Sequence, residues 1–142
     1  MAFKLQEVVS VIADGLRPSF RTVRVSSMQN SAHFLAELKA VNPDKLPGVL
    51  VVFDDIDFNG ETVCAETRLS LILIDRFHAD SEDRANKLFA AADNLMACFP
   101  LLGRKFGEAF VTPEDVQSAS IDPLFSAIVL GIRIQQRVRT FD

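Results

Sequence analysis

Residues 48–77 read GVLVVFDDIDFNGETVCAETRLSLILIDRF, and the fold turns on them. Gly48 to Phe58 is rich in β-branched and aromatic residues, which fit a pleated, half-buried surface. Asn59-Gly60 is a favoured type I′ turn pair, and Glu61 to Phe77 is strand-like again. The unit predicted is a long β-hairpin. Side chains alternate across a strand. In the second arm Val63, Ala65, Thr67, Leu69, Leu71 and Leu73 therefore share one face, and Cys64, Glu66, Arg68, Ser70, Ile72 and Ile74 share the other. The polar members gather towards the turn while both faces become apolar further on. The far end is expected inside the domain, with the turn end projecting from it.

Working outward, Leu5, Val8, Val9, Ile12 and Leu16 recur at helical spacing, and Gly15 followed by Pro18 supplies a stop, which predicts a helix over 3–15. Phe20, Val23 and Val25 suggest a short strand. Ser31 can cap a second helix with Phe34, Leu35, Leu38 and Val41 as its apolar stripe, ended by Asn42-Pro43. Ser81, with Glu82 and Asp83 behind it, opens a third. Its buried stripe is expected to be Ala85, Leu88, Phe89, Ala92, Leu95, Met96 and Phe99, with Pro100 as the boundary. Leu101 to Phe110 contains the stretch Gly103-Arg104-Lys105-Phe106-Gly107, which reads as loop, and Asp115 to Ile121 reads as a strand. After the turn Asp122-Pro123, Leu124 to Val138 is a final strand with Ile128, Leu130, Ile132 and Ile134 on one face and Arg133, Gln135, Arg137 and Arg139 on the other. This order lacks the regular alternation of a doubly wound fold. The expectation is one α+β domain over 1–142: a mostly antiparallel sheet with a long β-hairpin and about three helices packed on it.

Composition narrows the function classes. The 142 residues are 49% hydrophobic and 24% charged, an ordinary globular balance that allows one core. The longest apolar runs fall far short of the roughly 20 residues that cross a bilayer. Polar residues follow Met1-Ala2-Phe3 too soon for a secretory signal, so folding in the cytoplasm is expected. A net charge of −4 and the absence of Trp and Tyr argue against nucleic acid as a partner. Cys64 and Cys98 belong to no metal-binding or redox pair and are read as buried free thiols.

Few residues carry candidate chemistry. Asp54, Asp55 and Asp57, with Glu61 past the turn, offer oxygen ligands for a divalent cation, but the spacing matches no calcium loop. In a regular strand Asp55 and Asp57 share a face while Asp54 points away. A solvated hairpin tip is the simpler reading. His78 and Asp80 form no recognisable acid/base setting, His33 has no ligand partner at helical spacing, and no serine lies in a Gly-x-Ser-x-Gly turn. Gly103-Arg104-Lys105-Phe106-Gly107 lacks the Walker pattern for phosphate. No cofactor and no catalytic residue is expected.

The amphipathic first helix, the segment Leu46-Pro47-Gly48-Val49-Leu50-Val51-Val52, the hairpin into Leu69-Ser70-Leu71-Ile72-Leu73-Ile74 and the helix from Ser81 together resemble small tail proteins of Mu-like phages and prophages. The likeness is greatest to their tail-terminator or minor tail family, at residue level from Leu46 to Phe99. That resemblance implies a non-enzymatic ring subunit, commonly hexameric, that caps the polymerising tail tube and offers a surface for joining the head. It would assemble in the bacterial host cytoplasm and remain in the virion tail, with tube and head-tail connector proteins as partners. The candidate protein interface is the acidic tip, Asp54, Asp55, Asp57, Asn59 and Glu61, together with the cationic strand, Arg133, Arg137 and Arg139, which could meet head to tail between neighbours. Two readings from other classes are a small metal-dependent hydrolase using Asp54, Asp55, Asp57 and His78, and a regulatory or immunity-type protein-binding module.

Overall fold

The computed structural model describes residues 4–26, 47–61, 63–76, 82–122 and 125–137. Its elements are α1 (Leu5–Leu16), β1 (Val23–Ser26), β2 (Gly48–Asn59), β3 (Cys64–Arg76), α2 (Glu82–Ala97), β4 (Arg104–Phe106), β5 (Ala109–Asp122) and β6 (Phe125–Arg137). The fold is α+β, and its six strands form one sheet in the order β1-β2-β3-β6-β5-β4. Among the described residues only the β1–β2 pair is parallel. Two helices, not three, are present among the described residues; the helix expected from Ser31 lies outside them, as do Ser81 and Arg139. No helix among the described residues is long and apolar enough to cross a membrane.

β3 is central, bonded along its length to β2 and β6. Alternation therefore has to satisfy two faces at once. On the inner face Leu69, Leu71 and Leu73 join Val49, Val51, Leu130, Ile132 and Ile134 beneath the two helices. On the outer face Leu50, Ile72, Ile74 and Ala127 form a second, smaller apolar cluster at the end away from the hairpin turn. Towards the turn the outer face becomes charged, as the run of polar residues predicts.

Both helices are anchored by apolar spacing. α1 buries Val8, Ile12, Ala13 and Leu16 and ends where Ser19 and Phe20 both donate their backbone N–H to the Leu16 carbonyl. Gly15 is not the stop expected from the sequence but lies inside α1, pressed against the Phe106 ring, whose Cε1 is 2.7 Å from where a Cβ would stand. α2 buries Leu88, Ala91, Ala92 and Leu95, with Phe99 just beyond it. Ala85, Phe89 and Met96 were expected in that stripe and are instead exposed, because the helix lies on the sheet with a narrower face than the pattern allows.

Two turns also depart from expectation. Asn59 pairs with Cys64, so the β2–β3 loop spans four residues rather than a two-residue Asn-Gly turn. Asn59 closes it by accepting the Glu61 N–H on Oδ1 at 3.0 Å, and among the loop's described residues the left-handed one is Val63 (φ 52), not Gly60. The stretch read as loop, Gly103 to Gly107, belongs to a tight hairpin in which Phe106 pairs with Ala109. Gly107 (φ 63) takes the first turn position, where a positive φ is required. Phe106 stacks on Phe99 with centroids 5.6 Å apart and carries the Arg104 guanidinium over its ring at 4.6 Å, which fixes β4 to the end of α2.

Candidate functional site: the charged outer face

Two β-bulges shape the polar half of the outer face. One interrupts β2 between Phe53 and Asp55, the other interrupts β5 between Pro113 and Asp115. An inserted residue turns its side chain out of regular alternation. Asp54 is thereby brought to the same face as Asp55 rather than away from it, and its Oδ2 accepts the Ser70 hydroxyl at 2.6 Å. On β5 the same device puts Glu114 beside Asp115 on the outer side.

Arg68 gathers these carboxylates. Its Nη1 donates to Asp55 Oδ1 at 2.9 Å and to Asp57 Oδ2 at 3.0 Å, its Nη2 donates to Glu66 Oε1 at 3.2 Å, and its Nε lies 3.7 Å from Glu114 Oε1. These hydrogen bonds, from Asp55 first and Asp57 second, reinforced by the negative charge of Asp55 and Glu66, raise the guanidinium pKa above its ordinary value. Glu66 is shared, because Arg133 Nη1 lies 3.7 Å from the same oxygen. The result is a network of four carboxylates and two guanidinium groups spread over four strands.

Beside it lies an open cleft of about 280 Å³ lined by Asp54, Arg68, Ser70, Glu114, Asp115 and Gly131. Gly131 forms its floor because a Cβ there would stand 2.5 Å from Asp115 Oδ1. Asp115 in turn accepts a hydrogen bond from Gln117 Nε2 at 2.9 Å. A second cleft of about 220 Å³ separates α1 from the β4–β5 hairpin and has Val8, Val11, Phe106 and Gln136 in its walls.

The Arg68 network presents charge and shape that a partner could recognise. In the outer cleft Asp55 and Asp57 face a guanidinium instead of converging on an open position. Among the described residues no group of three His, Cys, Asp or Glu side chains is placed to hold a metal ion. His78 lies outside the described residues. The two thiols are half-buried and not joined in a disulfide, and Cys98 Sγ donates to the Asn94 carbonyl at 3.4 Å.

The candidate interface residues fall together in part. Asp54, Asp55, Asp57 and Arg133 lie on one continuous face, while Asn59 and Glu61 sit at the loop end of the same hairpin. Arg137 pairs with Cys64 and so stands at that end too. The acidic and cationic groups are thus neighbours in one molecule, with Arg133 already beside Glu66. Arg68, Glu66 and Glu114, which organise the site, were not singled out from the sequence. The alternation that puts Arg68 and Glu66 on the face of Asp55 and Asp57 was available as a signal; the β5 bulge that delivers Glu114 was not.

No protein-family model matches the chain, and no curated protein matches it.

Proposed function

We propose that this chain is a non-enzymatic structural subunit of a phage or prophage tail, a ring-forming tail terminator that caps the tail tube and contributes to head-tail joining. The observation that carries this reading is the amount of large apolar side chain left facing solvent. Leu101 and Leu102, in the turn after α2, are 88% and 94% exposed, and Phe89 and Met96 open outward seven residues apart on one side of that helix. Phe58 is 65% exposed near the tip of the long hairpin. Single exposed apolar residues are ordinary, but adjacent leucines at a turn beside an outward-facing Phe and Met are characteristic of surface that another protein covers.

Two further features support assembly over catalysis. The polar side chains of the best-formed site are committed to one another through Arg68, which suits a rigid contact face. The outer face gathers its acidic residues on the loop-side half of the sheet, where a tube or connector protein with a basic surface would be attracted and oriented. The sequence resemblance to tail-terminator proteins points the same way.

Light scattering over a wide concentration range, with negative-stain images of the same sample, tests the proposal. A closed ring of about six copies is expected. A strict monomer both alone and in the presence of polymerised tail tubes would overturn it in favour of a module that captures one soluble partner.

A further inference from the structure

The cleft between α1 and the β4–β5 hairpin begins where the apolar pattern of the inner face breaks. On β6 the inward positions run Leu130, Ile132 and Ile134, all core residues, and then Gln136. Gln136 pairs with Ala65 on β3, and one step past the Phe110–Gln135 pair it stands beside Ala109 on β5. Small side chains on either side of Gln136 leave room against the first turns of α1, and the space is the cleft of about 220 Å³.

We propose that this cleft takes the side chain of a lysine presented by a partner protein, an inference that goes beyond the tail reading and does not depend on it. Three observations carry it. First, the walls are apolar on both sides. Val8 and Val11 come from α1, and Phe106 and Ala109 come from the hairpin, a lining that suits the aliphatic stem of a lysine.

Second, the exposed groups of the lining are carboxylates. Glu7 on α1 and Glu108 in the hairpin turn are both exposed and both line the cleft, and among the described residues no cation does. Glu7 and Val11 are four residues apart, so the charge and the apolar wall share one side of the helix. Lys4 approaches Glu7 only to 3.8 Å, and both side chains are more than half exposed, so that pair competes weakly.

Third, Gln136 carries an unmet acceptor. Its Oε1 is buried and has no hydrogen-bond partner among the described residues. A buried oxygen without a donor is costly, and the last torsion of a glutamine is soft. A turn of the amide would present the oxygen to the cleft, where an ammonium group supplies the missing donor. An ammonium has three donors and no acceptor, which matches two carboxylates and an amide oxygen held on three separate elements. The planar fork of an arginine is shaped instead for two acceptors side by side. Exposed carboxylates attract weakly and the stem is short, so a free amine gains little here. The same contacts serve well as one anchor within a larger protein contact.

The test follows the valine methyl signals of labelled full-length protein by NMR while a capped lysine, Nα-acetyl-lysine methylamide, is added at fixed ionic strength. Val8 and Val11 should shift saturably, with a dissociation constant in the roughly millimolar range expected of a small ligand at an open site. Capped norleucine, which keeps the stem and lacks the charge, should leave them unmoved. Glu7→Gln with Glu108→Gln keeps the shape of the mouth and should weaken lysine binding on the order of tenfold. Gln136→Met keeps the size and removes the orphan oxygen, so it should raise the melting temperature while weakening lysine binding; a residue that only supported the fold would not show the two effects together. The methyl spectrum of each variant reports its fold. Norleucine bound as well as lysine, or undiminished binding in the Glu7→Gln, Glu108→Gln protein, would overturn the proposal. Tighter binding of capped arginine would overturn the assignment to lysine, and tighter binding of free butylamine would make this a small-amine site in place of a protein contact.

Discussion

Arg68 and Arg133 stand directly opposite each other on β3 and β6, two cations in one cross-strand pair, and Glu66 reaches both, at 3.2 Å and 3.7 Å. Like charges placed opposite one another destabilise a sheet, so the shared carboxylate is what makes the arrangement tolerable. Glu66→Gln keeps the shape and removes the charge. It should lower the free energy of unfolding by about 1 kcal/mol, the upper range for cross-strand charge pairs. In a Glu66→Gln, Arg133→Met double mutant the loss should be smaller than the sum of the two single losses, because the repulsion has gone too. Urea denaturation of the four proteins of the cycle measures it, and additive losses would mean that Glu66 does not mediate between the two cations.

Arg68 itself should behave as a pH-insensitive centre. Its folded pKa is raised above the unfolded one, so the stability it contributes is fully present below the unfolded value, far above neutral pH, and is lost only as pH rises through the folded value. The difference in melting temperature between wild type and Arg68→Leu should therefore stay constant from pH 6 to pH 10. Arg68→Lys should recover only part of it, since an ammonium cannot hold Asp55, Asp57 and Glu66 with a planar fork. Thermal denaturation at fixed ionic strength checks both statements. A gap that closes below pH 10 would show that another titrating group controls the site.

The meeting of Gly15 and Phe106 predicts a substitution effect opposite to propensity. Alanine is favoured over glycine in a helix by about 1 kcal/mol, so Gly15→Ala would stabilise α1 in isolation. In the protein the new Cβ would lie 2.7 Å from Phe106 Cε1. That ring is itself held by the stack on Phe99, so it cannot withdraw cheaply. Overpacking of this kind costs typically 1–3 kcal/mol, and Gly15→Ala should be net destabilising. Gly15→Ala in a Phe106→Leu background should cost much less. Equal costs in both backgrounds would place the clash elsewhere.

Alternation and helical spacing made the sheet-and-helix core readable in advance, because burial follows period two in β3 and β6 and roughly period 3.6 in α1. What lay beyond reach were local departures from period. The bulges at Phe53/Asp55 and Pro113/Asp115 leave no mark on a hydrophobic pattern, yet they decide that Asp54 faces Ser70 and that Glu114 approaches Arg68. The β4–β5 hairpin was hidden for another reason. β4 is three residues long, too short for alternation to register, and its signal was only a Gly-Glu pair at the turn. Gly15 was misread because a glycine near a helix end fits a stop as well as it fits a close approach.

The hairpin loop offers a stabilising change. Val63 is β-branched and sits at φ 52, in a region that costs such residues about 1–3 kcal/mol. Gly60, three residues earlier in the same loop, avoids that region and has open space where a Cβ would go. Val63→Gly should therefore raise the free energy of unfolding by about 1 kcal/mol, the strain relieved exceeding the entropy added to the unfolded chain. Gly60→Ala should be neutral or slightly stabilising. A type I′ Asn-Gly turn would give the reverse order, with Gly60→Ala the harmful change, so chemical denaturation of the two variants separates the two loop geometries.

Leu71 and Leu102 separate what the chain needs to fold from what it needs to assemble. Leu71 is fully buried at the centre of the inner face, and Leu71→Ala should cost about 2–5 kcal/mol through lost transfer energy and a residual cavity. Leu102 is 94% exposed, so Leu102→Ala should leave the isolated subunit within about 0.5 kcal/mol of the wild type. If the surface formed by Leu101, Leu102, Phe89 and Met96 is covered in an assembly, that same change should weaken association, and a paired Leu101→Ser, Leu102→Ser variant should do so by at least tenfold in concentration. Denaturation of the monomer and light scattering of the assembly, run on the same samples, read the two effects apart. A paired variant that folds normally and assembles at the wild-type concentration would remove this patch from the contact surface. The tail reading would then have to rest on the charged outer face alone.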